Sequence, residues 1–141
     1  MAGVNVLRRR YDTCARRGIS IIELAIVLPL VLLLILGLLE YGWVFRQSYH
    51  IANAARQGAR WAAPPEATRA DAENVIQVAM AQAGIGVSDY TVTWNPASDV
   101  SAGELFTCTV TVAYDDIALG MPLVPTPDTL ESSITMRKEG P

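Results

Sequence analysis

The sequence predicts an α+β protein carried on a membrane-spanning helix. Three observations predict it: an apolar stretch from Ile19 to Leu39 broken only by Ser20 and Glu23, helix-compatible sequence running on from there to Pro64, and a change to period-two alternation beginning at Tyr90. The expected architecture is a long N-terminal transmembrane and assembly helix, a second amphipathic helix, and a small three- to four-stranded antiparallel sheet packed on the helices.

The apolar stretch is 21 residues long, and Leu24 to Leu39 contains only apolar residues, Pro and Gly. As a helix, 21 residues cover roughly 30 Å, the thickness of a hydrocarbon core. The 18 residues before it hold five arginines and one aspartate, a net charge of +4 that keeps this end cytoplasmic and exports the rest. Beyond Tyr41 six basic residues face eleven acidic ones, so the exported part carries −5 and is a poor nucleic-acid binder. The overall charge of −3 and mean hydropathy of +0.27 average over these dissimilar parts.

Four segments follow from this: a basic leader at residues 1–18, the transmembrane helix at 19–41, an amphipathic extension of the same helix at 42–63, and a small α+β globular domain at 64–141. Nothing interrupts the chain between the second and third except Gly37 and Gly42, so one helix from Ile19 to Ala63 is expected, about 68 Å long at standard rise. Pro64-Pro65 ends it, since neither residue can donate to a continuing helix. Within the extension Val44, Ser48, Ile51, Ala55, Gly58, Ala59 and Ala62 recur at spacings of three and four, an amphipathic pattern whose apolar face is unusually small.

After the prolines, Thr68 and Asp71 stand at a capping spacing, and Ala72, Val75, Ile76, Ala79, Met80 and Ala83 form the apolar stripe of a second helix that ends before Gly84. Three strands then follow. Tyr90, Val92 and Trp94 share one face of the first; Phe106, Cys108, Val110, Val112 and Tyr114 one face of the second; Leu130, Ile134 and Met136 one face of the third. Threonines dominate the opposite faces of the first two, as expected of an antiparallel sheet with one solvated side.

Glu23 is the costly residue. An ionised side chain at the centre of a membrane helix costs about 2.5–3.5 kcal/mol, less near its end. Either the carboxylate snorkels to the cytoplasmic interface, or it meets a cation inside the membrane or a helical assembly. Pro29, which leaves the carbonyl of Ala25 short of a donor, is either a passive kink or a deformable point in the helix. Gly37, Gly42 and the small face around Ala55, Gly58 and Ala59 permit close helix approach, either to the protein's own domain or between molecules; the sequence reading favours the latter.

The remaining reactive side chains form no site. His50 is the only histidine and has no Cys or carboxylate at metal-ligand spacing. Asp99, Asp115, Asp116 and Asp128 occupy loop sequence without the spacing of a calcium loop. Cys108 falls on the apolar face of its strand, and Cys14 on the other side of the membrane, so no intramolecular disulfide is expected. With no nucleophile–histidine arrangement, phosphate loop or zinc pattern, neither an enzyme nor a bound cofactor or metal is expected.

Arg16-Arg17-Gly18 followed by Ile19, with Glu23 five residues after the glycine, resembles the type IV prepilin processing motif, in which a membrane peptidase cuts after the Gly. The wider stretch GISIIELAIVLPLVLLLILGLLEYG, with its Pro29, Gly37 and Glu40-Tyr41, continues into ANAARQGAR. Together with the ending SSITMRKEG it is similar to the TadE-like family of tight-adherence pilus assembly proteins. Leu24 departs from the pattern, which commonly has an aromatic residue directly after the Glu.

The resemblance implies a minor pilin or pseudopilin of a tight-adherence (Flp-type) pilus, processed between Gly18 and Ile19, with a role in pilus initiation, assembly or tip formation and so in surface adhesion. Its implied setting is the bacterial inner membrane, crossed once with the N-terminus cytoplasmic, with incorporation into an extracellular pilus. The implied partners are the prepilin peptidase, the major Flp-type pilin, a second minor pilin, the inner-membrane assembly platform and membrane lipid, with no nucleic acid. The 78 residues from Pro64 onward favour a minor subunit over the far shorter major pilin. In that setting the new α-amine of Ile19 is the cation that pairs with Glu23. Two alternatives stay open: an uncleaved single-pass protein with an extracytoplasmic binding domain, and a secretory precursor, for which the nearest Ala-x-Ala, Ala52-Asn53-Ala54, lies far past the apolar run.

Overall fold

A computed structural model describes the backbone at residues 4–118, 120 and 125–140, and side chains from residue 21 onward. The described elements are α1 (Val4–Ala62), α2 (Arg69–Gln82), β1 (Tyr90–Asn95), β2 (Leu105–Ala113), the short helical turn α3 (Tyr114–Ile117) and β3 (Thr129–Arg137). The chain divides into two compact units, Met1–Leu39 and Glu40–Pro141.

The first unit is helical from Val4. A helix starting at Ile19 was expected; α1 instead begins 15 residues earlier, and the leader contributes to it. The physical reason is local: residues 4–17 contain neither Pro nor Gly, and Gly18 alone lowers helix stability by only about 1 kcal/mol. Pro29 lies within α1 without ending it.

The second unit combines the C-terminal part of α1, residues 40–62, with α2, the sheet and α3. Its sheet is an antiparallel meander in the order β1-β2-β3, three strands rather than four. Registers such as Val92↔Val110, Trp94↔Cys108 and Cys108↔Ile134 carry the apolar alternation across all three strands. Phe106, Cys108, Val110, Val112 and Leu130 are buried, with Tyr90, Val92, Trp94, Ile134 and Met136 partly so, in one cluster with residues of α1 and α2. On the other face Thr107 pairs with Thr135 and Thr109 with Ser133 through hydroxyl hydrogen bonds of 2.9 Å. Such cross-strand hydroxyl pairs fix the register on the solvated side.

The caps of α2 match their sequence signals. The Thr68 side chain accepts from the Asp71 amide at 3.2 Å while its hydroxyl donates to the Asp71 carboxylate at 2.6 Å. At the other end Gly84 takes φ +81°, the amide of Ile85 donates to Met80 O and that of Gly84 to Ala81 O, each at 3.0 Å. This is the Schellman arrangement, and buried Ile85 and Met80 supply the apolar contact that accompanies it.

Ala72, Ile76 and Met80 of α2 and Ile51, Ala54, Ala55, Ala59 and Ala62 of α1 are buried together in the core. Gly58 marks the closest approach: a Cβ there would stand 2.4 Å from Ile76 Cδ1 and Cγ1. Tyr114, expected as the last inward residue of its strand, is buried in α3 instead. Asp115 and Asp116 in the first turn of α3 suit the positive end of a helical turn, and the Tyr114 amide turns to Asp128 O at 2.9 Å.

Gly58→Ala is expected to destabilise the Glu40–Pro141 unit by about 1–3 kcal/mol, because overpacking against fully buried Ile76 outweighs the gain in helix propensity. Thermal unfolding of the single mutant and of the Gly58→Ala/Ile76→Val double mutant checks this: the double mutant should regain part of the loss.

Candidate functional site: the helix α1 and its seat in the domain

From Ile21 to Leu36 every side chain of α1 is exposed, and all of them except Glu23 belong to apolar residues or Pro. Leu, Ile and Val at this density on all sides of a helix require an apolar surround, and the helix is long and apolar enough to cross a membrane. One such N-terminal helix fits a single-pass membrane protein. Glu23 is exposed in this stretch and makes no ion pair among the described residues. Gly18 and Ile19 lie inside α1, and their side chains are outside the described residues.

The other residues singled out in α1 separate into different environments. Gly37 is buried, whereas Gly42 is exposed and has open space where a Cβ would stand. Ala55, Gly58 and Ala59 are buried within the chain's own core, which corrects the expectation that this small face packs between molecules. The reason is the short distance between α1 and α2: a row of Ala and Gly is what admits Ile76 and Ala72 against the α1 backbone.

Polar contacts that periodicity did not single out hold α1 in its domain. The Trp43 indole N–H donates to Ile117 O at 2.7 Å, and the Tyr41 hydroxyl to Pro125 O at 3.3 Å. The Arg46 guanidinium lies 5.0 Å from the centroid of the Trp43 ring. At the far end the Lys138 ammonium donates to Ala62 O at 3.0 Å and Ala67 O at 3.1 Å, and the Glu139 amide donates to Ala63 O at 2.8 Å. A cation on the last carbonyls of a helix satisfies orphan acceptors and complements the dipole. Gln47, on the buried side of α1 one turn before Ile51, was not singled out by the sequence reading; a polar residue in phase with an apolar stripe is the signal that could have found it.

A second polar cluster stands where α2 meets the β1–β2 loop. Arg69 forms an ion pair with Asp99 at 3.0 Å, donates to the carbonyls of Pro96, Ala97 and Ser98, and lies 5.6 Å from the centroid of the Trp94 ring. The Trp94 N–H donates to Glu73 at 2.9 Å. A cavity of about 20 Å³ beside Arg69 and Lys138 has room for no more than a water molecule. Asp99 therefore holds a loop in shape, Asp115 and Asp116 sit in α3, and Asp128 supplies a backbone acceptor to Tyr114. Among the described residues no three His, Cys, Asp or Glu come together as metal ligands.

Buried groups here favour their neutral forms. Burial, and then the Glu73 carboxylate, push the Cys108 thiol up to about 11, and the same two causes raise Tyr90. Burial and then Glu40 raise Tyr114. Cys108 is fully buried and unpaired, a small apolar side chain rather than a nucleophile.

This helix, apolar and exposed over one stretch and small-faced and buried over the next, is the part of the chain that a family model matches. Residues 18–60 match the TadE-like protein family. The matched TadE-like segment begins at Gly18 and takes in Glu23, Pro29, Gly37, the Trp43 contacts and Gly58. It thus unites the apolar run with the part of α1 built into the core. The TadE-like family is a pilus-associated structural family that is not known for enzymes. Comparison with the curated proteins and with the solved structures gives no significant match.

The Cys108 thiol should resist alkylation at pH 8 in the folded protein and react on unfolding. Above its ordinary value of 9.0 the unfolded chain loses this proton while the folded chain keeps it, so stability should fall as pH rises from about 9 towards about 11. Chemical denaturation across that range, repeated on Cys108→Ala, checks it: the mutant should show a shallower decline at its lower end, before the tyrosines contribute.

Proposed function

We propose that the protein is a minor pilin or pseudopilin of a tight-adherence pilus, made as a single-pass membrane precursor, cut between Gly18 and Ile19 by a prepilin peptidase, and active in pilus initiation, assembly or tip formation. The observation that carries this reading is the conjunction, inside the TadE-like match, of Gly18, Glu23 and an apolar helix exposed on all sides. Its partners are then the major Flp-type pilin, a second minor pilin and the inner-membrane assembly platform, and adhesion to surfaces follows from the pilus.

The chemistry of the first turn supports the reading. After cleavage the Ile19 α-amine and the Glu23 carboxylate stand four residues apart on one helix face, close enough to pair within one helix or across two. The charge in the apolar run then has a counter-ion that the precursor lacks. Gly18 serves the cut itself: α1 is continuous from Val4, a peptide bond inside a helix must be opened for a protease, and glycine is the residue of that turn least favourable to the helix. The Glu40–Pro141 unit, with its own core and caps, is the exported body.

N-terminal sequencing and intact mass of the protein from native membranes, beside cells lacking the prepilin peptidase, test the processing step. An Ile19 terminus that vanishes without the peptidase is expected; a retained leader in both would refute processing. Glu23→Gln should leave the protein in the membrane and lower its recovery with the major pilin, and undiminished piliation in that mutant would rule out the pairing.

A further inference from the structure

Between Glu23 and Glu40 the charge-free run Leu24 to Leu39 is sixteen residues long. In a helix that covers about 24 Å, roughly four residues short of a hydrocarbon core of about 30 Å. Counted from Ile19 the opposite hydrocarbon boundary falls at Leu39, and counted from a Glu23 carboxylate held in the headgroups it falls near Trp43. The residues of α1 that straddle this level are Tyr41, Trp43, Phe45 and Arg46.

Their exposure points to an unfilled contact. Phe45 is 77% exposed, more open than any Leu, Ile or Val of the apolar run, and Tyr41, whose hydroxyl donates to Pro125 O, still leaves 53% of its surface exposed. Both lie away from the side of α1 that buries Gln47 and Ile51, with Tyr49 one turn beyond Phe45. Arg46, also exposed, holds its guanidinium by the Trp43 ring. Beyond Tyr49 this side of α1 turns polar at exposed Arg56, whose guanidinium donates to the half-buried Asn53 at 3.4 Å, and the next exposed aromatic, Trp61, comes about three turns after Tyr49. A patch of one phenyl ring, phenols and a guanidinium, a few turns deep and directly following an apolar run, has the chemistry and the thickness of a bilayer boundary, where aromatic rings sit among headgroups and Arg meets phosphate. A face shared with a long protein helix would carry its apolar stripe past Asn53.

We propose that Tyr41, Phe45 and Arg46 form a lipid-binding collar, with the two rings at the glycerol level and the guanidinium on lipid phosphate. This seats the first turns of the Glu40–Pro141 unit in the outer layer of the leaflet. The collar lies on the same side of Gly18 whether or not the chain is cut, so it stands apart from the pilin reading.

Nitroxide labels on the full chain test it, in a Cys14→Ser background where Cys108 is fully buried. Leu38→Cys, Tyr41→Cys, Phe45→Cys and, as a water reference on the sheet, Thr93→Cys are reconstituted singly in phosphatidylethanolamine–phosphatidylglycerol vesicles. Power saturation then compares collisions with oxygen and with a water-soluble nickel chelate. The oxygen-to-nickel ratio at positions 41 and 45 should exceed that at 93 severalfold and stay below that at 38. A ratio at 45 equal to that at 93 would overturn the collar, as would a spectrum at 45 that sharpens on dilution with unlabelled protein, which would mean that a second copy covers the face.

Discussion

The close approach of α1 and α2 at Gly58 is the constraint on which the rest of the domain depends. With Ile76 only 2.4 Å from where a Cβ would stand, no other residue type fits there without displacing a fully buried side chain. The neighbouring alanines at 54, 55, 59 and 62 extend that small surface along α1. Bulk comes from the other side, from Ile76 and Met80 of α2 and from Phe106, Val110 and Val112 of β2. Each such side chain contributes roughly 1.5–3 kcal/mol by leaving water. The distribution of size is asymmetric, with a thin helix and bulky partners, and this is what makes the last part of α1 a structural member of the domain.

Polar contacts then fix where the ends of the elements lie. Lys138 and the Glu139 amide, at the exit of β3, bind the carbonyls of Ala62, Ala63 and Ala67, so the C-terminal strand closes the end of α1 that Pro64 leaves open. Arg69 does the corresponding work at the start of α2, gathering three loop carbonyls, the Asp99 carboxylate and the Trp94 ring. Guanidinium suits that place because its fork of donors can meet several acceptors while its plane packs on an aromatic ring. Both cations are therefore occupied in holding the fold, which leaves Arg46 as the first exposed cation after the apolar run among the described residues.

One helix serves two solvents. From Leu24 to Leu36 its side chains are exposed and apolar all round, which only lipid or other apolar helices can satisfy; from Ile51 to Ala62 it has one buried face and one largely polar face, as in a water-soluble domain. The family match runs across both stretches, while the sheet and its loops lie outside the matched residues. The proposed passage from bilayer to fibre would use such a division: an apolar length whose surround can be exchanged, and a domain whose core is complete within its own chain.

Much of this was legible in the sequence because it rests on local chemistry. The apolar run, the charge asymmetry around it, the Thr68 and Gly84 signals at the ends of α2 and the alternation in Tyr90–Asn95 and Leu105–Ala113 are set by side-chain periodicity and backbone propensity, which need no knowledge of distant residues. The resemblance to a prepilin motif is legible for the same reason, being a fixed spacing of Gly18 and Glu23, and the cut it implies belongs to the proposed function. The tertiary structure alone decided what the small face touches, since Ala55, Gly58 and Ala59 suit a neighbouring molecule and the chain's own α2 equally well until Ile76 is brought against them. It also decided that Tyr114 turns into α3, that Lys138 caps a helix 76 residues earlier in the chain, and that Trp43 and Gln47 belong to the seat of α1. These depend on pairing across long sequence separations, where composition and period carry no information and only the folded geometry selects the partner.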